Sequence, residues 1–211
     1  MLAPAATVCV GANYVAHIVE MGRERPTAPT LFSKLPGSLT DPEATIAACD
    51  RSAALDYEGE LVVVIGREAR DVAVEDALDH VAGYTLMNDT SARDLQNRSA
   101  QWFAGKNLER ATPVGPWLAT ADEVGDLGAR TIETRVNGEV RQRSSVTDLC
   151  FDVPFLVADI SRLFTLRPGD LIATGTPGGV GHARTPKAYL VPGDVVEVEV
   201  DGIGVLRSRF A

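Results

Sequence analysis

Cysteine is scarce and scattered. The chain has three, Cys9, Cys49 and Cys150, and no Cys-x-x-Cys pair, which excludes a disulfide framework and a thiolate zinc site and suits a reducing compartment. Long apolar runs are missing too. Beyond the N-terminal stretch the longest is Leu61–Ile65, far below the roughly 20 residues of a membrane-spanning helix. The opening Met1–Val10 stretch is mildly apolar but has no basic start, and Gly11-Ala12-Asn13 interrupts it. It reads as a core strand, not a signal peptide. A cytoplasmic protein is the default expectation. Nor is there a basic surplus: 20 Lys+Arg against 29 Asp+Glu give a net charge of −9. That balance excludes a general nucleic-acid binder and docking on an anionic membrane. Internal repeats and low-complexity tracts are absent.

What remains is an ordinary globular composition, 45% hydrophobic and 23% charged. The length of 211 residues suits one domain plus an appendage, and such a chain buries roughly 70% of its unfolded surface. Strand signals outnumber helix signals. Strands are expected at Ala6–Val10, Leu61–Ile65, Gly83–Asn88 and Leu171–Thr174. Thr131–Val136, Asn137-Gly138 and Glu139–Arg143 form a hairpin around a type I′ turn signal. A second hairpin joins Val195–Val200 to Ile203–Phe210 through Asp201-Gly202. Helices are expected around Tyr14–Gly22, Val74–Val81, Thr90–Gln96 and Val153–Phe164, and the Pro-rich stretch Pro26–Pro42 reads as loop. The fold class is α+β, a mixed and mainly antiparallel sheet system curled into a barrel-like roll.

Five features carry chemistry. Glu58 and Glu60, two apart on a strand, share a face. Carboxylates so close need water, a shared proton or a cation. A solvated strand end fits that spacing as well as a site does, yet this pair runs straight into the apolar Leu61–Ile65 run. Hard divalent cations such as Mg²⁺ take carboxylate oxygens, and Asp89, closing the Gly83–Asn88 strand, is the third candidate. N-capping of the Thr90–Gln96 helix is its other reading. His17 and Glu20, three apart on a helix, would let the glutamate orient an acid–base imidazole, and a surface histidine with a helical neighbour has the same pattern. His80 and His182 have no such partner. Lys106, after Trp102-Phe103-Ala104-Gly105, is either a point-charge anchor for a carboxylate or a solvated lysine. The glycine-dense Thr174–Gly181 segment presents backbone N–H groups suited to an anion, or is a wide loop. It fits no Walker or dinucleotide fingerprint.

Read together, five segments occur in order: Asp-Tyr-Glu-Gly-Glu-Leu-Val-Val-Val-Ile-Gly, Asn-Asp-Thr-Ser-Ala-Arg-Asp-Leu-Gln, Gln-Trp-Phe-Ala-Gly-Lys-Asn, Arg-Val-Asn-Gly-Glu-Val-Arg-Gln and Gly-Asp-Leu-Ile-Ala-Thr-Gly-Thr-Pro-Gly-Gly-Val-Gly. From about Val8 to Phe210 the chain resembles the fumarylacetoacetate hydrolase family. The resemblance implies a mixed β-roll, typically homodimeric. It divides the chain into a short segment, residues 1–50, with a lid helix and loop, and a metal-binding catalytic β-roll, residues 51–211. It places Glu58, Glu60 and Asp89 on metal-binding carboxylates that hold one Mg²⁺ or Mn²⁺. Lys106 falls on an active-site lysine, and His17 with Glu20 on the lid's catalytic dyad. Thr176 and Gly175, Gln96, Arg93 and Lys34 fall on or beside substrate contacts. Position 12 is Ala, where many acylpyruvate-cleaving members carry Arg.

The expected activity is metal-dependent hydrolysis of a C–C bond in a 2,4-dioxo acid, an acylpyruvate such as fumarylpyruvate, through a metal-stabilised pyruvate enolate with water activated by His17. The same site would also serve oxaloacetate decarboxylation or isomerisation of an unsaturated 2-oxo acid. A non-catalytic, metal-stabilised scaffold is a further, different reading. The expected partner is a small 2-oxo acid, with no nucleic acid and no membrane.

Overall fold

The computed structural model describes residues 4–211. Met1–Ala3, the start of the expected N-terminal segment, lie outside the described residues. Strand β1 (Thr7–Gly11) leads into helix α1 (Val15–Glu20), as the sequence pattern implies. The Pro26–Pro42 stretch departs from its reading as loop. It carries β2 (Thr30–Ser33), antiparallel to β1, and β3 (Leu39–Thr40). Both lie at sheet edges, where a proline nearby interrupts no central ladder. After β4 (Thr45–Ile46) and β5 (Leu55–Asp56) comes β6 (Gly59–Ile65), whose seven residues are all buried. Val74–His80 coils as a 3₁₀ helix, tighter than the α-helix expected there, and β7 (Val81–Asn88) follows.

The expected helix over 90–96 is divided: β8 (Ser91–Ala92) pairs with β5, and only α2 (Arg93–Gln96) is helical. After α3 (Phe103–Lys106), β9 (Thr112–Thr120) is a nine-residue strand that sequence patterning missed. Pro113, Gly115 and Pro116 disguise it, and a register shift against β7 accommodates them. Helix α4 (Ala121–Val124) is capped by Thr120. The hairpin of β10 (Thr131–Val136) and β11 (Glu139–Ser145) forms as expected, with φ of 53° at Asn137 and 80° at Gly138. Positive φ at both central residues is what a type I′ turn requires. Asp152 caps α5 (Val153–Leu163) by accepting from the Phe155 N–H. Strands β12 (Leu171–Ala173), β13 (Val195–Val200) and β14 (Gly204–Phe210) complete the chain.

The strands form a seven-stranded sheet, β2-β1-β12-β6-β7-β9-β3, and a five-stranded sheet, β11-β10-β13-β14-β4. β1 runs parallel to β12, and most other pairings are antiparallel. The first 50 residues thus supply strands to both sheets. β6 is buried on both faces because it lies mid-sheet, and apolar over Leu61–Ile65, whereas β13 alternates, with Val196, Val198 and Val200 inward and Glu197 and Glu199 outward. The two sheets meet where Gly59 faces Val198 and Thr134. Leu156, Val157 and Ile160 of α5 are fully buried against the same core; each contributes roughly 1.5–3 kcal/mol by leaving water. No helix among the described residues is long and apolar enough to cross a membrane.

Candidate active site

Glu58 precedes β6, and Glu60 is its second residue. The Glu58 N–H donates to Asn88 Oδ1 at 3.0 Å, and its carbonyl accepts from the Asp89 N–H at 2.8 Å. Because Gly59 pairs with Asn88 across the ladder, Asp89 arrives beside both glutamates. All three carboxylates are buried, with one oxygen of each within 4.8 Å of the others. Asp89 does not cap a helix: α2 starts four residues on, behind Ala92, which has no capping side chain.

Cations surround the triad. Lys106 Nζ donates to Glu58 Oε2 at 2.7 Å and to Asp89 Oδ2 at 2.6 Å. Arg93 pairs with Glu58 Oε1 at 2.6 Å and with Asp56 Oδ2 at 2.8 Å, and donates to Gln96 Oε1 at 2.9 Å. Lys34 Nζ lies 2.7 Å from Asp89 Oδ1 and donates to Thr112 Oγ1. Four buried carboxylates therefore meet three cations, one negative charge in excess. Glu60 carries that excess. Among the described residues no lysine or arginine pairs with it, and it accepts a hydrogen bond from the Gly175 N–H at 2.9 Å. Burial, then the neighbouring Asp89 and Glu58, push the Glu60 carboxyl well above its usual range. Burial also acts on Glu58, but Lys106 and Arg93 outweigh it and hold that carboxyl well below. A buried, oxygen-only, electron-rich triad with a carboxylate lacking a counter-ion fits a hard divalent cation of the Mg²⁺ or Mn²⁺ kind.

Helix α1 brings the dyad to the same place. His17 Nδ1 and Glu20 Oε1 are 2.7 Å apart, and Glu20 Oε2 accepts from the Gly179 N–H at 2.7 Å. One carboxylate thus orients the imidazole and clamps the helix to the glycine loop. Asn13 fixes the turn into α1, donating to the carbonyls of Phe151 and Thr174 and accepting from the Phe151 N–H. Gly175 must be glycine: its φ is 101°, and a Cβ would lie 2.9 Å from the Val10 carbonyl. His17 opens onto one cavity with Glu58, Glu60, Arg93, Gln96 and Lys106.

The remaining candidates are placed differently. Thr176 reaches the cavity, but its hydroxyl already donates to the Gly59 carbonyl and accepts from Gln142 Nε2. The Gly175 N–H is committed to Glu60. Lys34, expected near the substrate, lies instead behind Asp89 with no side-chain exposure, where it braces that carboxylate.

Residues 6–211 match the family described as fumarylacetoacetate (FAA) hydrolase C-terminal. The chain belongs to this enzyme family. It is 43% identical over 206 residues to oxaloacetate tautomerase YisK of Bacillus subtilis, covering 96% of this chain and 68% of the relative. The chain thus spans about two thirds of that protein's length. A solved fumarylacetoacetate hydrolase from the psychrophile Exiguobacterium antarcticum superposes with a TM-score of 0.91 at 45% identity, over 99% of this chain and 76% of that one. Fumarylpyruvate hydrolase from Pseudomonas aeruginosa, solved with Mn²⁺ and pyruvate, gives 0.90 at 36% identity, over 99% and 90%.

Within this hydrolase-family chain, three residues that sequence reasoning left without a role organise the site. Asp56 is fully buried and accepts from Arg93 and from the N–H groups of Gly181 and His182. Its signal was adjacency to Glu58. Gln142 Oε1 accepts from the Gly59 N–H, and its amide donates to Thr176 Oγ1 and the Pro177 carbonyl. It ends one of the ordered motifs. His182, without a carboxylate partner of the His17 kind, bonds through Nδ1 to Tyr189 Oη at 2.8 Å and lines the cavity.

Proposed function

We propose that the chain is a divalent-metal-dependent tautomerase of a short 2-oxo dicarboxylic acid of the oxaloacetate kind, interconverting its keto and enol forms. The observation that carries this reading is one cavity lined by Glu58 and Glu60 of the buried carboxylate triad and by His17, which Glu20 orients. The tautomerase relative supports it. Tautomerisation moves one proton between C3 and the 2-oxo oxygen and breaks no carbon–carbon bond. Glu58, Glu60 and Asp89 would hold one Mg²⁺ or Mn²⁺, which when bound supplies Lewis acidity toward the 2-oxo acid. His17 takes the C3 proton and delivers it to the 2-oxo oxygen, and does the reverse for the enol, its tautomer set by the Glu20 carboxylate. Arg93 and Lys106 keep Glu58 ionised, and Arg93 and Gln96 wall the cavity beside it.

Acylpyruvate hydrolysis is the second reading, supported by the fumarylpyruvate hydrolase neighbour. There the same imidazole activates water, and a C–C bond breaks. Oxaloacetate decarboxylation would need the triad alone. A soluble, cytoplasmic homodimer is part of the proposal.

The test is the decay of enol-oxaloacetate absorbance with Mn²⁺, beside an assay of pyruvate release from fumarylpyruvate and oxaloacetate. Tautomerase activity should exceed pyruvate release from both, and His17→Ala should lower it by about 10²–10⁴. Faster pyruvate release from fumarylpyruvate would favour the hydrolase. Full activity in EDTA would overturn the metal dependence.

A further inference from the structure

Three arginine or lysine side chains line the catalytic cavity: Arg93, Lys106 and Arg23. The first two are spent on buried carboxylates. Arg23 is different. Among the described residues it forms no ion pair, and its guanidinium lies over the Trp102 ring, 5.2 Å from the centroid.

Arg23 is exposed, but the ring beneath its guanidinium is fixed in place. Trp102 packs so closely on Gly11 that a Cβ there would lie 2.3 Å from the indole, and its other neighbour, Phe32, meets it edge-on at 5.6 Å. The backbone of Arg23 is fixed as well. Gly22, at φ 65°, ends α1 in a Schellman motif, its N–H bonding to the Val19 carbonyl while the Arg23 N–H bonds to that of Ile18. Arg23 therefore rides on the same clamped helix as His17 and Glu20, at a fixed offset from the dyad.

We infer that Arg23 is a specificity-determining residue. Its guanidinium, on the Phe32–Trp102 platform, forms an outer subsite for the second carboxylate of a 2-oxo dicarboxylic acid whose 2-oxo acid end meets the triad. This inference rests on the function proposed above and names the substrate feature it selects. A planar guanidinium suits a carboxylate through two parallel N–H···O bonds. In a chain of net charge −9, an unpaired cation at the cavity also favours an anionic ligand over a neutral one of the same shape.

The test is calorimetric binding, with Mn²⁺, of three probes: fresh oxaloacetate, 2-oxobutyrate, which keeps the four-carbon chain but has a methyl in place of the second carboxylate, and oxalate, which reaches only the triad. In wild type oxaloacetate should bind more tightly than 2-oxobutyrate. Arg23→Gln should weaken oxaloacetate about tenfold and leave the other two within twofold, while Arg23→Lys should lie between. Unchanged oxaloacetate binding in Arg23→Gln, or an equal loss for all three probes, would overturn the subsite while leaving the proposed metal site standing. Failure of all three to bind wild type would overturn the metal-site reading and this inference with it.

Discussion

Two Glu-x-Glu pairs in this chain share a spacing and differ in their exposure to water. Glu58-Gly59-Glu60 opens β6 and is buried, with exposures of 5% and 2% for the two carboxylate residues. Glu197-Val198-Glu199 lies on β13, its side chains 25% and 41% exposed. Both pairs meet arginine. Inside, each cation is nearly dry: Lys106 and Arg93 side chains are 3% and 4% exposed. Outside, Arg135 shares Glu133, Glu197 and Glu199 at 2.7–3.3 Å in partial contact with water. Period-two spacing reports only that two carboxylates share a face. Whether that face is wet depends on its neighbours, and the neighbours decide whether the pair is a site or a solvated ladder.

Glu60→Gln tests the inner pair most severely. It keeps the shape and removes the ionisable carboxyl that has no counter-ion, so metal-dependent turnover should fall at least about 10³-fold, and stabilisation by Mn²⁺ should vanish. The pH dependence sharpens this. Because the Glu60 carboxyl is raised by burial and then by Asp89 and Glu58, the native state keeps a proton that the unfolded chain releases near pH 4.3. Metal-free stability should therefore fall as pH rises from there through the raised value. A cation requires the ionised form, so the Mn²⁺-induced rise in Tm should be larger at pH 8 than at pH 5.5 in wild type, and absent at both in Glu60→Gln. A shift independent of pH would remove Glu60 from the metal ligands.

Lys106→Met comes next. It strips the ammonium that bridges Glu58 and Asp89 and leaves buried charge unpaired, a loss of about 3–5 kcal/mol in chemical denaturation. Added Mn²⁺ should recover part of it. A loss below about 1 kcal/mol would mean that water reaches the cluster, and the contrast between the two pairs would collapse.

The strands and the dyad were legible because they are local. Val195–Val200 and the Asn137-Gly138 turn follow from alternation and turn chemistry, and His17 meets Glu20 within a helical turn. Asp89 was legible from its place at the end of the Gly83–Asn88 strand, and the resemblance then put it among metal-binding carboxylates. What stayed hidden depends on contacts between distant segments. β9 hides behind Pro113 and Pro116, whose irregularity is absorbed by β7. Lys34 turns inward because β2 docks on β1 and sends it toward Asp89, 55 residues away in sequence. Gln142 crosses from the five-stranded sheet to the Gly59 N–H, and no local pattern encodes that reach.

Gly59→Ala probes the point where the two pairs stand back to back. A Cβ there would lie 2.1 Å from Thr134 Oγ1 and 3.1 Å from Val198 Cγ1, so the inner pair's middle residue would push on the outer pair's middle residue. The expected cost is about 1–3 kcal/mol of overpacking. Among the described residues Thr134 Oγ1 has no hydrogen-bond partner, so Thr134→Ala in the same chain should return much of that loss. Equal losses in the single and double variants would place the strain elsewhere.

The smallest effect belongs to the outer pair, and its smallness is the point. Glu199→Gln removes one of three carboxylates around Arg135, which keeps Glu133 at 2.7 Å and Glu197 at 3.3 Å. Exposed pairs are typically worth about 0.2–1 kcal/mol, and a shared guanidinium loses less than a whole pair, so about 0.5 kcal/mol or less is expected. High salt should shrink even that, since the surviving interactions are screened by solvent ions. Metal-induced stabilisation should not change, because Glu199 points away from the triad on the far side of Val198. If Glu199→Gln instead altered the Mn²⁺ response, the two pairs would be coupled through the Gly59–Val198 contact, and the outer ladder would have to be counted as support for the site rather than as a solvated surface.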